Sequence, residues 1–349
     1  MRALVAMSGG VDSSVAAALM RDAGHEVVGV TLKMWSGPSG EAPTAGCCTV
    51  SDSEDARRVA GQLDIPYYVL DYTNEFRDGV VRRFVSDYVS GRTPNPCIEC
   101  NRTVKFDRLL RRLDDFESDV LVTGHHARSR FDGRHWNLHR GSDRAKDQSY
   151  VLSMLTQREL SRARFPVGEL TKHQVRSMAS ALGLRTAQKP ESMDICFVGR
   201  RDYRTFLADT APEALVSGPL VDTEGHELGA HDGIAGFTVG QRRGLGVAVG
   251  EPRFVVRIEP ATSTVVLGRR EELGVSGVEL SQVIWTTGAG DYGEVMAQYR
   301  AHGVPVPAVL DGDRLFFVNR QEAVAPGQTV AFYQDDRVMG GALIEGTFP

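Results

Sequence analysis

Ser8-Gly9-Gly10-Val11-Asp12-Ser13 stands between an apolar run, Ala3-Leu-Val-Ala-Met7, and a small-residue helix pattern, Val15-Ala-Ala-Ala-Leu-Met20. Strand, glycine turn and helix in that order aim backbone N–H groups and the positive end of a helix dipole at one point, an arrangement that holds a phosphate. Neither glycine has a Cβ, so the backbone can turn tightly and come close to a ligand. Ser8, Asp12 and Ser13 add two hydroxyls and a carboxylate, more polar groups than a single helix cap needs.

Thiols are the second candidate chemistry. The five cysteines, Cys47, Cys48, Cys97, Cys100 and Cys196, are too few and too unevenly spaced for a disulfide scaffold. In a reducing compartment such residues are buried apolar groups, metal ligands or reactive thiols. Cys97-Ile-Glu-Cys100 is a C-x-x-C on a proline-bounded loop, open to redox chemistry, metal ligation or no role. There is no second C-x-x-C to complete a four-thiolate zinc site. Cys196, between Ile195 and Phe197, reads as a small buried hydrophobe unless the fold brings another thiol to it.

Three further motifs have both a plain and a functional reading. Gly124-His125-His126 follows a strand, where ligands are met; a histidine there caps or contacts. Lys146-Asp147-Gln148 opens a helical pattern, and Asp147 serves as an N-cap or more. Gly240-Gln-Arg-Arg-Gly-Leu-Gly246 is a basic turn framed by glycines, either a tight bend or a contact to a nucleic-acid backbone.

The elements that must position these residues alternate strand and helix through the first half. Val27–Leu32 reads as a buried strand, and Tyr67–Asp71 and Val120–Thr123 read as further strands. Ser51-x-x-Glu54 resembles a capping box opening a helix to about Leu63. Thr73 caps a longer helix carrying Phe76, Val80, Phe84 and Tyr88 at helical spacing. Helices are predicted over about 103–113, 147–155 and 171–182, and Asp132-Gly133 turns a small hairpin between Arg128–Phe131 and His135–Leu138. Repeated βα units imply a doubly wound parallel sheet, with ligands at the carboxyl ends of its strands. Past about residue 210, short β patterns such as Val255–Ile258, Thr264–Leu267, Leu315–Val318, Val330–Tyr333 and Ala342–Ile344 replace helical periodicity. The expected class is α/β: a Rossmann-like domain over 1–205, a small β-rich domain over 206–272 and a C-terminal β-barrel over 273–349.

With 349 residues the chain is long enough for such domains, and no apolar run approaches the ~20 residues of a membrane span. A cytoplasmic protein with no membrane partner is expected. The net charge of −5 is unevenly spread. Residues 101–150 hold 11 Lys+Arg against 8 Asp+Glu, whereas residues 251–349 hold 8 against 13. A locally basic surface able to meet phosphates therefore coexists with an acidic whole.

The loop lacks the Gly-Lys-Ser/Thr of mononucleotide loops and the Gly-x-Gly-x-x-Gly of dinucleotide folds. It resembles instead the SGGxDS signature of the PP-loop ATP pyrophosphatase superfamily. Together with NPCIECNRTVKFD, VTGHHAR, KDQSYVL, FPVGELTKHQVR, ESMDICFVG, FTVGQRRGLGV and AVAPGQTVAFY, it makes the chain resemble the bacterial tRNA-specific 2-thiouridylase family over essentially its whole length. The resemblance implies ATP-dependent insertion of sulfur at position 2 of the wobble uridine. It implies an ATP site at Ala6, Met7, Ser8, Gly9, Gly10, Val11, Asp12 and Ser13, with Leu32 and Gly124, and magnesium as cofactor with Asp12 a candidate ligand. It implies Cys196 as carrier of a persulfide received from a sulfur-donor protein and Cys100 as the second catalytic thiol, the two ending as a disulfide. Target-base contact is implied for Asn95, Pro96 and Cys97. Contact with the anticodon arm is implied for His125, Lys146, Asp147, Gln148, Gln298, Tyr299 and Gln328.

Three positions depart from the family pattern. Cys97 stands where aspartate is usual, Gln298 where arginine is common and Leu32 where methionine is usual. Cys97 keeps open an iron–sulfur cluster on Cys97, Cys100 and Cys196. Two other functions share the loop. A PP-loop ligase acting on a small molecule would release pyrophosphate without tRNA; a non-catalytic tRNA-binding protein would release none.

Overall fold

The computed structural model describes residues 1–36, 49–191, 195–199, 202–212, 215–288, 290 and 293–349, so Cys47 and Cys48 lie outside the described residues. The chain begins β1 (Arg2–Ala6), α1 (Val11–Asp22), β2 (Glu26–Lys33), α2 (Val50–Leu63), β3 (Tyr67–Asp71). A continuous helical stretch follows: α3 (Thr73–Phe76), a π-helical turn over Arg77–Val81, and α4 (Arg82–Val89). Next come α5 (Pro96–Glu99), a π-helical segment over Cys100–Phe106, α6 (Asp107–Arg111), β4 (Val120–Val122), β5 (Ala127–Phe131) and β6 (Trp136–Arg140). After these lie α7 (Gln157–Arg162), β7 (Ala163–Arg164), α8 (Lys172–Ala181) and α9 (Tyr203–Thr210).

Five strands form a parallel sheet in the order β3-β2-β1-β4-β7, as the βα repeats predict. Its central strand is apolar on both faces. Ala3 and Val5 join the cluster built with α1, α2 and α8, while Leu4 joins the cluster built with α3 to α6. Alternation of side chains along one strand thus divides the domain into two cores. The strand order reverses between β1 and β4, and in parallel sheets that point is where ligands bind.

Several local elements differ from the sequence expectation. The capping box of α2 is Thr49 with Asp52, not Ser51 with Glu54, because the chain enters the helix two residues earlier. The C-x-x-C lies on a helix rather than a loop: Pro96 occupies its first turn, where the missing N–H is no loss. Only a 3-10 turn, Ser149–Leu152, forms in the 147–155 stretch. The helix expected over 171–182 is present, opened by a Thr171/Gln174 capping box.

The β-rich part begins with β8 (Gly218–Asp222), β9 (Glu227–His231), β10 (Phe254–Glu259) and β11 (Thr264–Gly268), one sheet in the order β10-β11-β8-β9. Then β12 (Gly274–Trp285), β13 (Gly293–Gln298), β14 (Val306–Asp311), β15 (Arg314–Glu322), β16 (Thr329–Gln334) and β17 (Arg337–Phe348) run in the order β12-β15-β14-β13-β16-β17. Pairing of β12 with β17 closes them into a six-stranded barrel. The hairpin β5–β6 forms as expected but is recruited to this barrel: His139 and Leu138 pair with Arg337 and Val338 of β17. The first domain is thereby laced to the last.

Candidate active site

The loop after β1 is built around a close approach. Gly9 has φ +70°, and a Cβ there would stand 2.2 Å from the carbonyl oxygen of Asp52. Gly10 adopts extended backbone at the N-cap of α1 and, having no side chain, leaves that helix without a side-chain cap. The Ser13 and Ser14 hydroxyls turn back instead onto the Gly10 carbonyl, at 3.1 and 2.8 Å. The Ser8 N–H donates to Ser13 Oγ at 3.1 Å, which fixes the curl of the loop. The amino end of α1 is thus shaped and left open to an anion.

Gly124, at the end of β4, lies against this helix end; a Cβ there would come within 2.6 Å of the Ser13 nitrogen. His126, two residues on, is buried, and its Nε2 stands 3.0 Å from Asp12 Oδ1 while its buried Nδ1 meets no hydrogen-bond partner. The Lys172 ammonium reaches both Asp12 oxygens at 2.8 and 2.6 Å and Glu191 at 3.2 Å. Burial pushes the Asp12 carboxyl up, but His126 and Lys172 outweigh it and hold the group below the usual carboxylate range. Both oxygens of Asp12 are therefore engaged, and a magnesium ion there would have to displace an ammonium. Among the described residues, the one group of three ligand atoms close enough for a single ion is Asp222, Glu224 and His226, in the β8–β9 turn. Lys189 ties the loop from its other side, donating to the Gly9 carbonyl at 3.0 Å and to Asp52 and Asp55 at 2.7 Å each.

The thiols lie on the other face of the sheet. Cys100 is buried, 6% exposed, with its Sγ 3.8 Å from Met34 Sδ just beyond the end of β2. Cys196 is half-buried and packs against the same apolar cluster. Its neighbour Phe197 holds it there, with ring centroids 5.1 Å from Phe84, 5.3 Å from Phe206 and 5.7 Å from Phe76. Each such pair contributes roughly 0.5–1.5 kcal/mol beyond its buried area. Met34, the glycine loop and Gly124 follow the carboxyl ends of neighbouring parallel strands, so Cys100 and the anion cradle share one edge of the sheet. Cys97 is exposed, and its N–H is received by Asn95 Oδ1 at 3.2 Å. The three cysteines do not bring their sulfurs within 4.8 Å of one another as ligands of one ion.

Many of the side chains that the sequence points toward RNA make hydrogen bonds within the protein, although Gln148 and Cys97 are exposed. Asp147 accepts from Arg140, the Gly141 N–H and Ser149, and Gln148 Oε1 receives the His126 N–H. Gln298, 3% exposed, donates to the Arg300 and Ala301 carbonyls, and Gln328 donates to the Thr93 carbonyl at 2.8 Å. Tyr299 donates to Gln321, and Lys146 pairs with Glu191 at 2.8 Å. His125 contacts Thr123 Oγ1 and lies near Phe106 and Phe165; burial holds its imidazole far below the ordinary histidine range, so it is neutral at pH 7. Thr93 and Arg92, just before the thiol helix, connect it to the barrel, Arg92 through Glu345 and Thr93 also through the Pro326 carbonyl. Lys172, Lys189 and Arg92 were not visible as site residues in the sequence, since their partners lie 160, 137 and 253 positions away.

Fold and site define a parallel-sheet domain with an open anion cradle and a thiol at one edge, followed by two β modules. Profiles described as tRNA methyl transferase HUP domain, tRNA methyl transferase PRC-barrel domain and aminomethyltransferase beta-barrel domain match residues 1–200, 204–269 and 275–344. A protein of Roseiflexus sp. (strain RS-1) named tRNA-specific 2-thiouridylase MnmA is 46% identical, over 98% of each chain. Proteins of that name from Chloroflexus aggregans and Acidothermus cellulolyticus are each 47% identical, covering 98% and 99% of this chain and 97% and 98% of theirs. The chain belongs to the tRNA-specific 2-thiouridylase family.

Proposed function

We propose that this protein is an ATP-dependent tRNA sulfurtransferase that converts the wobble uridine to 2-thiouridine. The observation that carries the reading is the placement, at one edge of the parallel sheet, of an uncapped helix end and a buried thiol whose apolar cluster also receives a second thiol. The cradle suits the phosphates of ATP, and Leu32, at the end of β2, borders the same edge. Attack of the uracil 2-oxygen on the α-phosphorus releases pyrophosphate and turns that oxygen into part of a good leaving group.

A persulfide on Cys196, received from a sulfur-donor protein, supplies the nucleophile. Its terminal sulfur attacks C2, and AMP departs with the former 2-oxygen. The Cys100 thiolate then attacks Cys196 Sγ, breaking the S–S bond. The electron pair goes to the sulfur on C2, leaving the 2-thio group and a Cys100–Cys196 disulfide that a thiol reductant reopens. Cys100 is buried beside Met34, against the same apolar cluster that Cys196 joins, so its sulfur lies out of bulk water. The target base must leave its stack to reach this site, which suits an anticodon-loop nucleotide.

Magnesium fits as a partner carried in on the triphosphate, where it offsets charge, because Asp12 is already neutralised by Lys172. The test is incubation with tRNA, ATP and a persulfide donor, with 2-thiouridine and AMP read by mass spectrometry. Equal amounts of both are expected. AMP formed without tRNA would favour a small-molecule ligase, and no AMP at all a binding protein.

A further inference from the structure

Lys172 is a cation that the cradle itself does not explain. Its side chain is buried, 8% exposed as a residue, yet its ammonium stands at the first turn of α1, where the helix dipole already favours the Asp12 carboxylate. Lys189, by contrast, meets a loop carbonyl and two aspartates that flank it, and so serves the shape of the loop. Lys172 shares its charge between Asp12, inside the cradle, and Glu191, which also holds Lys146. A carboxylate inside an anion cradle repels the anion unless a cation stands between them. Lys172 is the ammonium paired with both oxygens of that carboxylate.

We propose that Lys172 is a triphosphate-binding residue: kept beside the loop by Asp12, its ammonium leaves Glu191 and receives the outer phosphates of ATP. This rests on the ATP reading above. The two faces of the sheet decide which phosphates are meant. Helix α8, which begins with Lys172, packs with α1 on one face, whereas Cys100, Cys196 and Met34 belong to the core on the other. The uracil must lie on the thiol side, and the α-phosphate bonded to its oxygen goes with it. The β- and γ-phosphates extend away from the thiols, along the loop, to Asp12 and Lys172. Lys172 then meets the charge that grows on pyrophosphate as it leaves, and Glu191 is the carboxylate that ATP displaces.

The experiment is calorimetric binding of α,β-methylene-ATP and of AMP, both with magnesium, to the full-length chain and its variants. Lys172→Met is expected to weaken the triphosphate analogue ~10–100-fold, the worth of a charge-assisted contact, and AMP less than about threefold. Lys172→Arg restores part of the loss. Equal losses for both nucleotides would reduce Lys172 to a support of the loop and overturn the proposal, as would no loss for either. Should Lys172→Met fail to fold, Glu191→Gln decides: tighter analogue binding with AMP unchanged supports the proposal, and no change in either overturns it. A wild-type protein that binds neither nucleotide overturns the ATP reading itself, a result distinct from a failure of Lys172 alone.

Discussion

Replacing Gly124 with alanine tests whether the end of β4 and the start of α1 must touch. The added Cβ would meet backbone atoms only, standing 2.6 Å from the Ser13 nitrogen and 2.7 Å from the Asp12 carbonyl carbon. No rotamer change relieves a backbone clash. To reach ordinary contact at 3.4 Å from 2.6 Å, the helix end must retreat by about 0.8 Å. Overpacking of this kind destabilises by about 1–3 kcal/mol. A displacement near 1 Å at a positioning element lowers turnover roughly 100-fold. Thermal melting and tRNA-dependent AMP release measure the two effects. Gly61→Ala is the control, since Gly61 lies in helix α2 with nothing within 4 Å of its added Cβ. It should gain about 0.5–1 kcal/mol and keep full activity. A Gly124→Ala protein that melts and turns over like the wild type would refute the close approach and the cradle built on it.

The remaining expectations concern the joint, the exposed thiol and pH. Gln328→Ala leaves the Thr93 carbonyl without its partner, costing about 1 kcal/mol; amide exchange over residues 93–101 should quicken and thiolation slow, with tRNA affinity unchanged, whereas a fall in affinity would make Gln328 an RNA contact instead. Cys97→Asp should keep thiolation and leave the purified protein free of iron and acid-labile sulfide; loss of activity together with loss of iron would establish the cluster scheme. His125 should be a source of acid sensitivity. Its folded-state pKa lies below the ordinary 6.5, so the unfolded chain binds the extra proton and stability falls as pH drops below 6.5. The loss reaches at most about 2 kcal/mol by pH 5, at roughly 1.4 kcal/mol per unit. His125→Asn should flatten the melting-temperature profile over that range, and an unchanged slope would contradict the assignment.

What the sequence disclosed follows from the range of the forces involved. The β1–loop–α1 unit was legible because an apolar run, two glycines and a small-residue helix are all local signals. The hairpin at Asp132-Gly133 was legible for the same reason, but its recruitment to β17 was not, since it depends on a strand some 200 positions later. Helix α5 was read as a loop because two prolines weigh against helix, although Pro96 at the first turn favours one. The long strand β12 was missed because Gly274, Gly277 and Gln282 interrupt its pattern, and the barrel tolerates them with register shifts. The cysteines were found by type alone; their common core came from Phe197 and Met34, which carried no warning in sequence. Lys172, although inside the motif FPVGELTKHQVR, and Lys189 gave no sign of their partners, because ion pairs obey distance in space and not spacing along the chain.

The most direct measurement is a single turnover with persulfide-loaded protein, ATP and tRNA, followed by mass spectrometry of the cysteines and the tRNA. The wild type should yield one Cys100–Cys196 disulfide per 2-thiouridine formed, and Cys100→Ser should retain sulfur on Cys196 and form no 2-thiouridine. Undiminished 2-thiouridine from Cys100→Ser would contradict the account.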